Sequence, residues 1–242
     1  MAGFVVMGAA VAVGAAIQGT IGFGFALVAV PVIAFVRPGA VPVAILCLAL
    51  PMTIGMALHE HAHADLRGFG WILLGRVVGT AAGIGILVSL STAWLQASVG
   101  LLILLAAGLS VVGLDVRPTP AVAGGAGFVS GVMGTTSAIG GPALAVVYQH
   151  RPGPELRATL ALVFVIGSLV SIAGLAVAGE VRARTVLLAV ELLPALVVGL
   201  LVGRSWSKRI DGPWLRPIVL AFASAAGVLL AVRGVIDATS SR

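Results

Sequence analysis

Residues 3–36 read GFVVMGAAVAVGAAIQGTIGFGFALVAVPVIAFV, an apolar stretch without a single charged side chain. As one straight helix it would extend about 50 Å at 1.5 Å per residue, against a hydrocarbon core of about 30 Å. The stretch is therefore expected to be broken or re-entrant. Gln18-Gly-Thr-Ile-Gly-Phe-Gly24 supplies the place, because Gly19, Gly22 and Gly24 weaken a helix and Thr20 can bond the backbone groups that a break frees.

Outward from this stretch the pattern continues, with further apolar blocks at about 41–58, 70–90, 93–114, 122–148, 158–178, 185–202 and 214–232. The blocks are continuously apolar and about twice the roughly ten residues of a transmembrane β-strand, so the fold class is an all-α polytopic membrane protein of about eight transmembrane segments. Composition agrees: 60% of the chain is hydrophobic and 9% charged, whereas a soluble domain carries about 25% charged residues. The lipid bilayer is thus one partner, and no connection is long enough to hold a soluble domain. The start of the chain lacks the basic region of a secretory signal, so the first segment is expected to be retained. The net charge of +6 comes from arginines in the short connections. It reads as a topology signal beside acidic lipid headgroups, not as a nucleic-acid surface. Cys47 is the lone cysteine, which rules out an internal disulfide and suits a small buried apolar residue.

The fifth block repeats the anomaly of the first. Gly134-Thr-Thr-Ser-Ala-Ile-Gly-Gly-Pro142 ends in a proline that a continuous helix cannot accommodate. Setting Phe23-Gly-Phe-Ala-Leu-Val-Ala-Val against Ile139-Gly-Gly-Pro-Ala-Leu-Ala-Val aligns Gly24 with Gly140. Pro38 then falls opposite Pro154, Asp65-Leu-Arg67 opposite Glu180-Val-Arg182, and Gly83 opposite Gly199 after a one-residue slip. The chain reads as two four-segment repeats, 1–117 and 118–242, the first segment of each broken or re-entrant. Re-entrant first segments would make the halves inverted.

Paired interruptions in the two halves of a membrane protein point to a transporter's substrate site. Helix N-termini and small hydroxyls can hold an anion there without a lysine. The substrate-binding candidates are Gln18, Gly19, Thr20, Gly22, Gly24, Gly134, Thr135, Thr136, Ser137, Gly140 and Gly141. The competing reading is that glycines such as Gly127 and Gly131 only let helices pack closely. Arg76 and Glu191 lie inside apolar blocks, each costing about 2.5–3.5 kcal/mol at a helix centre, and fall opposite each other in the repeat. They are expected to form an ion pair between the halves, static or opening during transport, with Glu191 able to take up a coupling proton. A snorkelling Arg76 is the alternative.

His59-Glu60-His61-Ala62-His63 matches H-E-x-x-H, in which two histidines one helical turn apart bind zinc and the glutamate acts as general base. It lies where the second block meets a polar loop, and Asp115 is only a weak candidate for a third ligand. Sensing pH or binding a metal at the membrane surface is a milder reading of these histidines, and a solvated loop suits them better.

Gly14-Ala-Ala-Ile-Gln-Gly-Thr-Ile-Gly-Phe-Gly24, Gly127-Phe-Val-Ser-Gly-Val-Met-Gly134, Pro31 and Gly79-Thr-Ala-Ala-Gly-Ile-Gly85 resemble the sulfite exporter TauE/SafE family over nearly the whole chain. The resemblance implies a bacterial inner-membrane carrier for sulfite, sulfonates or related sulfur-containing organic anions, driven by an ion gradient. The first half departs from the family's adjacent glycines, since Phe23 and Phe25 interrupt Gly22 and Gly24, whereas Gly140-Gly141 is retained.

The expectation is a secondary transporter of small anions working by alternating access, not an enzyme. It has a proton or cation as coupling partner, no cofactor, no resident metal and room for a homo-oligomer. An intramembrane metalloprotease, a passive channel and a metal-ion carrier using the histidines are the alternatives.

Overall fold

The computed structural model describes residues 1–21, 24–64, 66–111, 119–148, 153–210 and 215–240. These form ten α-helices: α1 Ala2–Ile21, α2 Phe25–Val36, α3 Val43–Glu60, α4 Phe69–Ser89, α5 Thr92–Val111, α6 Pro120–Thr136, α7 Gly141–Tyr148, α8 Gly153–Val177, α9 Ala183–Ile210 and α10 Leu215–Ser240. Short 3-10 turns at Pro38–Ala40 and His61–His63 are added, and there is no strand among the described residues. Seven helices are long and apolar enough to cross a membrane, and α2 is a shorter apolar one. Their outer faces carry half-exposed Leu74, Val77 and Val78 on α4 and similar side chains on every other span. Water would not tolerate that surface, and lipid solvates it. The protein is a multi-pass membrane protein.

The two overlong blocks are broken as their glycines and proline require. Between α1 and α2, Gly24 adopts φ 113°, a conformation that costs glycine little and a side chain more. Between α6 and α7 the turn runs through Ala138 at φ 59°, and Pro142 sits in the first turn of α7, where a missing N–H does no harm.

Direction follows from which residues meet. The Glu60 end of α3 pairs with Arg157 at the start of α8, while Val43 and Leu46 near the start of α3 cluster with Leu175 near the end of α8. Those two helices are antiparallel, so the helices that follow them, α4 and α9, also run in opposite directions. Helix α6 lies parallel to α4, with Gly75, Gly79 and Gly83 against Gly124, Phe128 and Val132 in that order. Helix α1 lies parallel to α9, since Gly199 and Gly203 meet Ala12 and Ala16.

The α1–α2 hairpin therefore enters from the end of the bundle where α4 finishes, and returns to it, because Val36 lies 3.0 Å from where a β-carbon on Gly3 would sit. The α6–α7 hairpin enters from the opposite end, and Tyr148 closes back beside Phe69 and Val122. In both seams a β-carbon on the glycine would run into the neighbour's backbone carbonyl, so glycine is what lets the axes approach.

Candidate functional site

The tips of the two hairpins face one internal cavity of about 70 Å³, room for a few waters or one small anion. The first tip contributes Gln18, Gly24 and Phe25, the second Gly134, Ile139, Gly140 and Gly141. Helices α3, α4 and α8 close the walls with Thr53, Arg76, Phe164 and Ser168. Both short helices begin at the cavity, so the positive ends of their dipoles face it.

Arg76 supplies the full charge. Its residue surface is 3% exposed, and its Nη1 donates to Ser130 Oγ and, at 3.4 Å, to the Ser130 carbonyl on α6. The guanidinium stands 5.6 Å from the centre of the Phe164 ring, within cation–π range. Its Nε is buried without a hydrogen-bond partner, and no carboxylate among the described residues pairs with it. A guanidinium has five N–H donors, and this one spends only those of Nη1.

Three glycines shape its berth. A β-carbon on Gly167 would overlap the Arg76 side chain, one on Gly134 would lie 3.1 Å from Nη2, and one on Gly140 would lie 3.0 Å from Nη1. Gln18 stabilises the opposite tip: its Oε1 accepts from the Phe25 N–H at 3.1 Å, satisfying a donor at the start of α2. Its Nε2 has only the Met56 sulfur, at 3.8 Å.

A model of the family "Sulfite exporter TauE/SafE" matches residues 6–230, which takes in the tips of both hairpins, Arg76 and every described wall of the cavity. The chain belongs to the sulfite exporter TauE/SafE family. No curated protein and no solved structure matches it.

Within this TauE/SafE chain the cavity gathers six of the residues singled out from the sequence: Gln18, Gly24, Gly134, Gly140, Gly141 and Arg76. Others are turned away. Gly19 lies against Leu200 and Gly203 of α9. Thr136 and Ser137 donate to the carbonyls of Val132 and Met133, one turn back on their own helix, and Thr135 bonds Thr80 and Ser171. Gly22 and the side chain of Thr20 lie outside the described residues, as does Asp115.

The structure does not bring Arg76 and Glu191 together. Arg76 is buried against α6 and α8, while Glu191 is exposed on α9, which packs on α1 and α3. The repeat offset that sets Gly83 opposite Gly199 sets Arg76 opposite Leu192, which is 1% exposed. One residue turns a helical side chain by about 100°, and that slip carries Glu191 to the outer face.

The H-E-x-x-H register is also not formed. Helix α3 ends at Glu60, and His61–His63 is a 3-10 turn, so His59 and His63 are not one α-helical turn apart. The Glu60 carboxylate accepts from Arg157 Nε at 2.9 and 3.0 Å, and His59 and His61 bond the carbonyls of Gly55 and Leu58.

Ser130, Phe164, Gly167, Ser168 and Thr53 were not indicated by the sequence reading. The available signal was Arg76 itself, since a buried guanidinium demands small or acceptor-bearing neighbours on the helices around it.

Proposed function

We propose that the protein is a secondary transporter of small anions, in which Arg76 holds the substrate between the tips of the two hairpins. The observation that carries this reading is a buried guanidinium without a carboxylate partner, lining a small cavity at two helix N-termini. An uncompensated buried charge costs several kcal/mol. An anion that arrives with its own negative charge offsets that cost, and the guanidinium lining the cavity is placed to receive it. Charge-assisted hydrogen bonds from a planar guanidinium suit a compact oxyanion. Membership of the TauE/SafE family favours sulfite, sulfonates and related sulfur-containing organic anions, and the bacterial inner membrane as the location.

The two halves, 1–117 and 118–242, act as inverted repeats, each contributing one re-entrant hairpin and three crossings. That arrangement is the kind used by transporters whose broken helices meet at a central site and alternate their access. A proton or cation gradient supplies the driving force.

The test is uptake of radiolabelled sulfite, taurine and sulfoacetate into proteoliposomes, with and without an imposed proton gradient, for the wild type and Arg76→Gln. Gradient-driven accumulation lost in the variant supports the reading. Accumulation of any of these anions at wild-type rate in Arg76→Gln overturns the assigned site, and dissipation without accumulation indicates a channel.

A further inference from the structure

A second cavity, of about 210 Å³, lies at the end of the bundle where α4 finishes and α5 begins. Its walls include the loop after α2, the start of α3 and the turn joining α8 to α9. Its rim is open, since Gly39, Thr92 and Arg182 are exposed. Its interior is unusual for a membrane protein. Gln96 is 7% exposed, lines the cavity, and makes no hydrogen bond among the described residues. Neither of its amide atoms is fully enclosed, so the amide is open to a ligand or water in the cavity. Glu180 and Arg182 line the same cavity, and neither takes part in an ion pair among the described residues.

Between this cavity and the Arg76 site stands a thin apolar layer. Val43, Leu46, Leu87 and Leu175 form one buried cluster with Ala138 packed on it. Val43 and Leu87 face the outer cavity, and Leu46 and Ala138 face the inner one. One turn of α3 separates the two chambers. Towards the other end of the bundle the inner site is covered more heavily. Ile72, Leu144, Val147, Tyr148, Leu160 and Val163 are buried together there, with Phe164 packed against them.

The geometry points to the outer cavity as a second anion site on the transport path, with Val43, Leu46, Leu87 and Leu175 as the gate between it and Arg76. Building on the anion-carrier reading, this inference assigns the route and its order of sites. Arg182 and the Gln96 amide receive the anion. Glu180 beside them makes the site nearly charge-neutral, so it holds the anion weakly, whereas Arg76 stands without a carboxylate. A path needs sites that are favourable enough to enter and weak enough to leave. The four apolar side chains stand between the chambers and must move aside to connect them.

The experiment uses single cysteines in a Cys47→Ala background, in vesicles of both orientations, with membrane-impermeant methanethiosulfonates. Gln96→Cys is expected to react from one face only. It is expected to react faster with the anionic sulfonatoethyl reagent in Glu180→Gln, and about fivefold more slowly with it in Arg182→Gln, relative to the cationic trimethylammonioethyl reagent. Ser168→Cys in the inner cavity is expected to react slowly from that face, and at least about tenfold faster once Leu46→Ala and Leu175→Ala open the layer.

The inference is overturned if Gln96→Cys is inert from both faces, or if the reagent preference ignores residues 180 and 182. It also falls if truncating the layer leaves Ser168→Cys unchanged or exposes it only from the opposite face. Wild-type folding of the truncated form is checked by its elution as a single species in detergent, and the Gln96→Cys arms stand without it. Because these readouts are labelling rates, they are independent of the uptake test. An Arg76→Gln variant that transports normally would sink the anion-site reading and leave the accessibility result to be judged separately.

Discussion

The two hairpins are built on one plan and finished differently. At the first tip the chain turns at a glycine in a left-handed conformation, and a side chain, Gln18, reaches seven residues ahead to satisfy the start of α2. At the second tip the left-handed position is held by Ala138, and proline opens α7. The helices packed beside them differ more. Helix α4 beside α6 carries Arg76, and α9 beside α1 carries buried Leu192 at the matching position. The hairpins share a plan, and the helices packed beside them differ at the position that carries Arg76.

That contrast is most exposed to attack at the departure itself. Arg76→Gln should lower anion uptake at least about 100-fold, equivalent to losing the ~3 kcal/mol of a charged hydrogen-bonded contact. Arg76→Lys should fall between this variant and wild type, because it keeps the charge but loses the planar fork. Initial rates in proteoliposomes check both, and equal rates for Gln, Lys and wild type would erase the asymmetry.

Next in size is the berth. Gly167→Ala places a methyl where the guanidinium lies, whereas a β-carbon on Gly85 of α4 meets nothing within 4 Å. Uptake should drop about 10-fold or more in the former and hold in the latter, at a cost of 1–3 kcal/mol for overpacking. The first tip answers more mildly. Gln18→Leu removes the acceptor for the Phe25 N–H and should cost about 1 kcal/mol, read as a fall of a few degrees in the melting temperature in detergent. Thr136→Val should change uptake by less than about twofold, because the hydroxyl is spent on its own helix. A large loss there would return the second tip's hydroxyls to the site.

The breaks were legible because glycine and proline act on the backbone wherever they stand, and block length alone demanded an interruption at residues 18–24. Arg76 was legible as a costly residue. Its surroundings were not, and the reason is physical. A helix that is apolar all round gives no phase, so the sequence does not say which side chains of α8 face inward. Phe164, Gly167 and Ser168 were hidden for that reason. The same lack of phase made Glu191 look like a partner when a single-residue slip had turned it outward.

The glycine seams carry a mechanical consequence. Helix α6 packs on α4, and α1 on α9, so closely that a β-carbon on the seam glycines would meet a backbone carbonyl of the neighbour. Any rigid body that keeps these seams together is therefore drawn from both sides of residue 117. A hinge between residues 1–117 and 118–242 would have to part both seams.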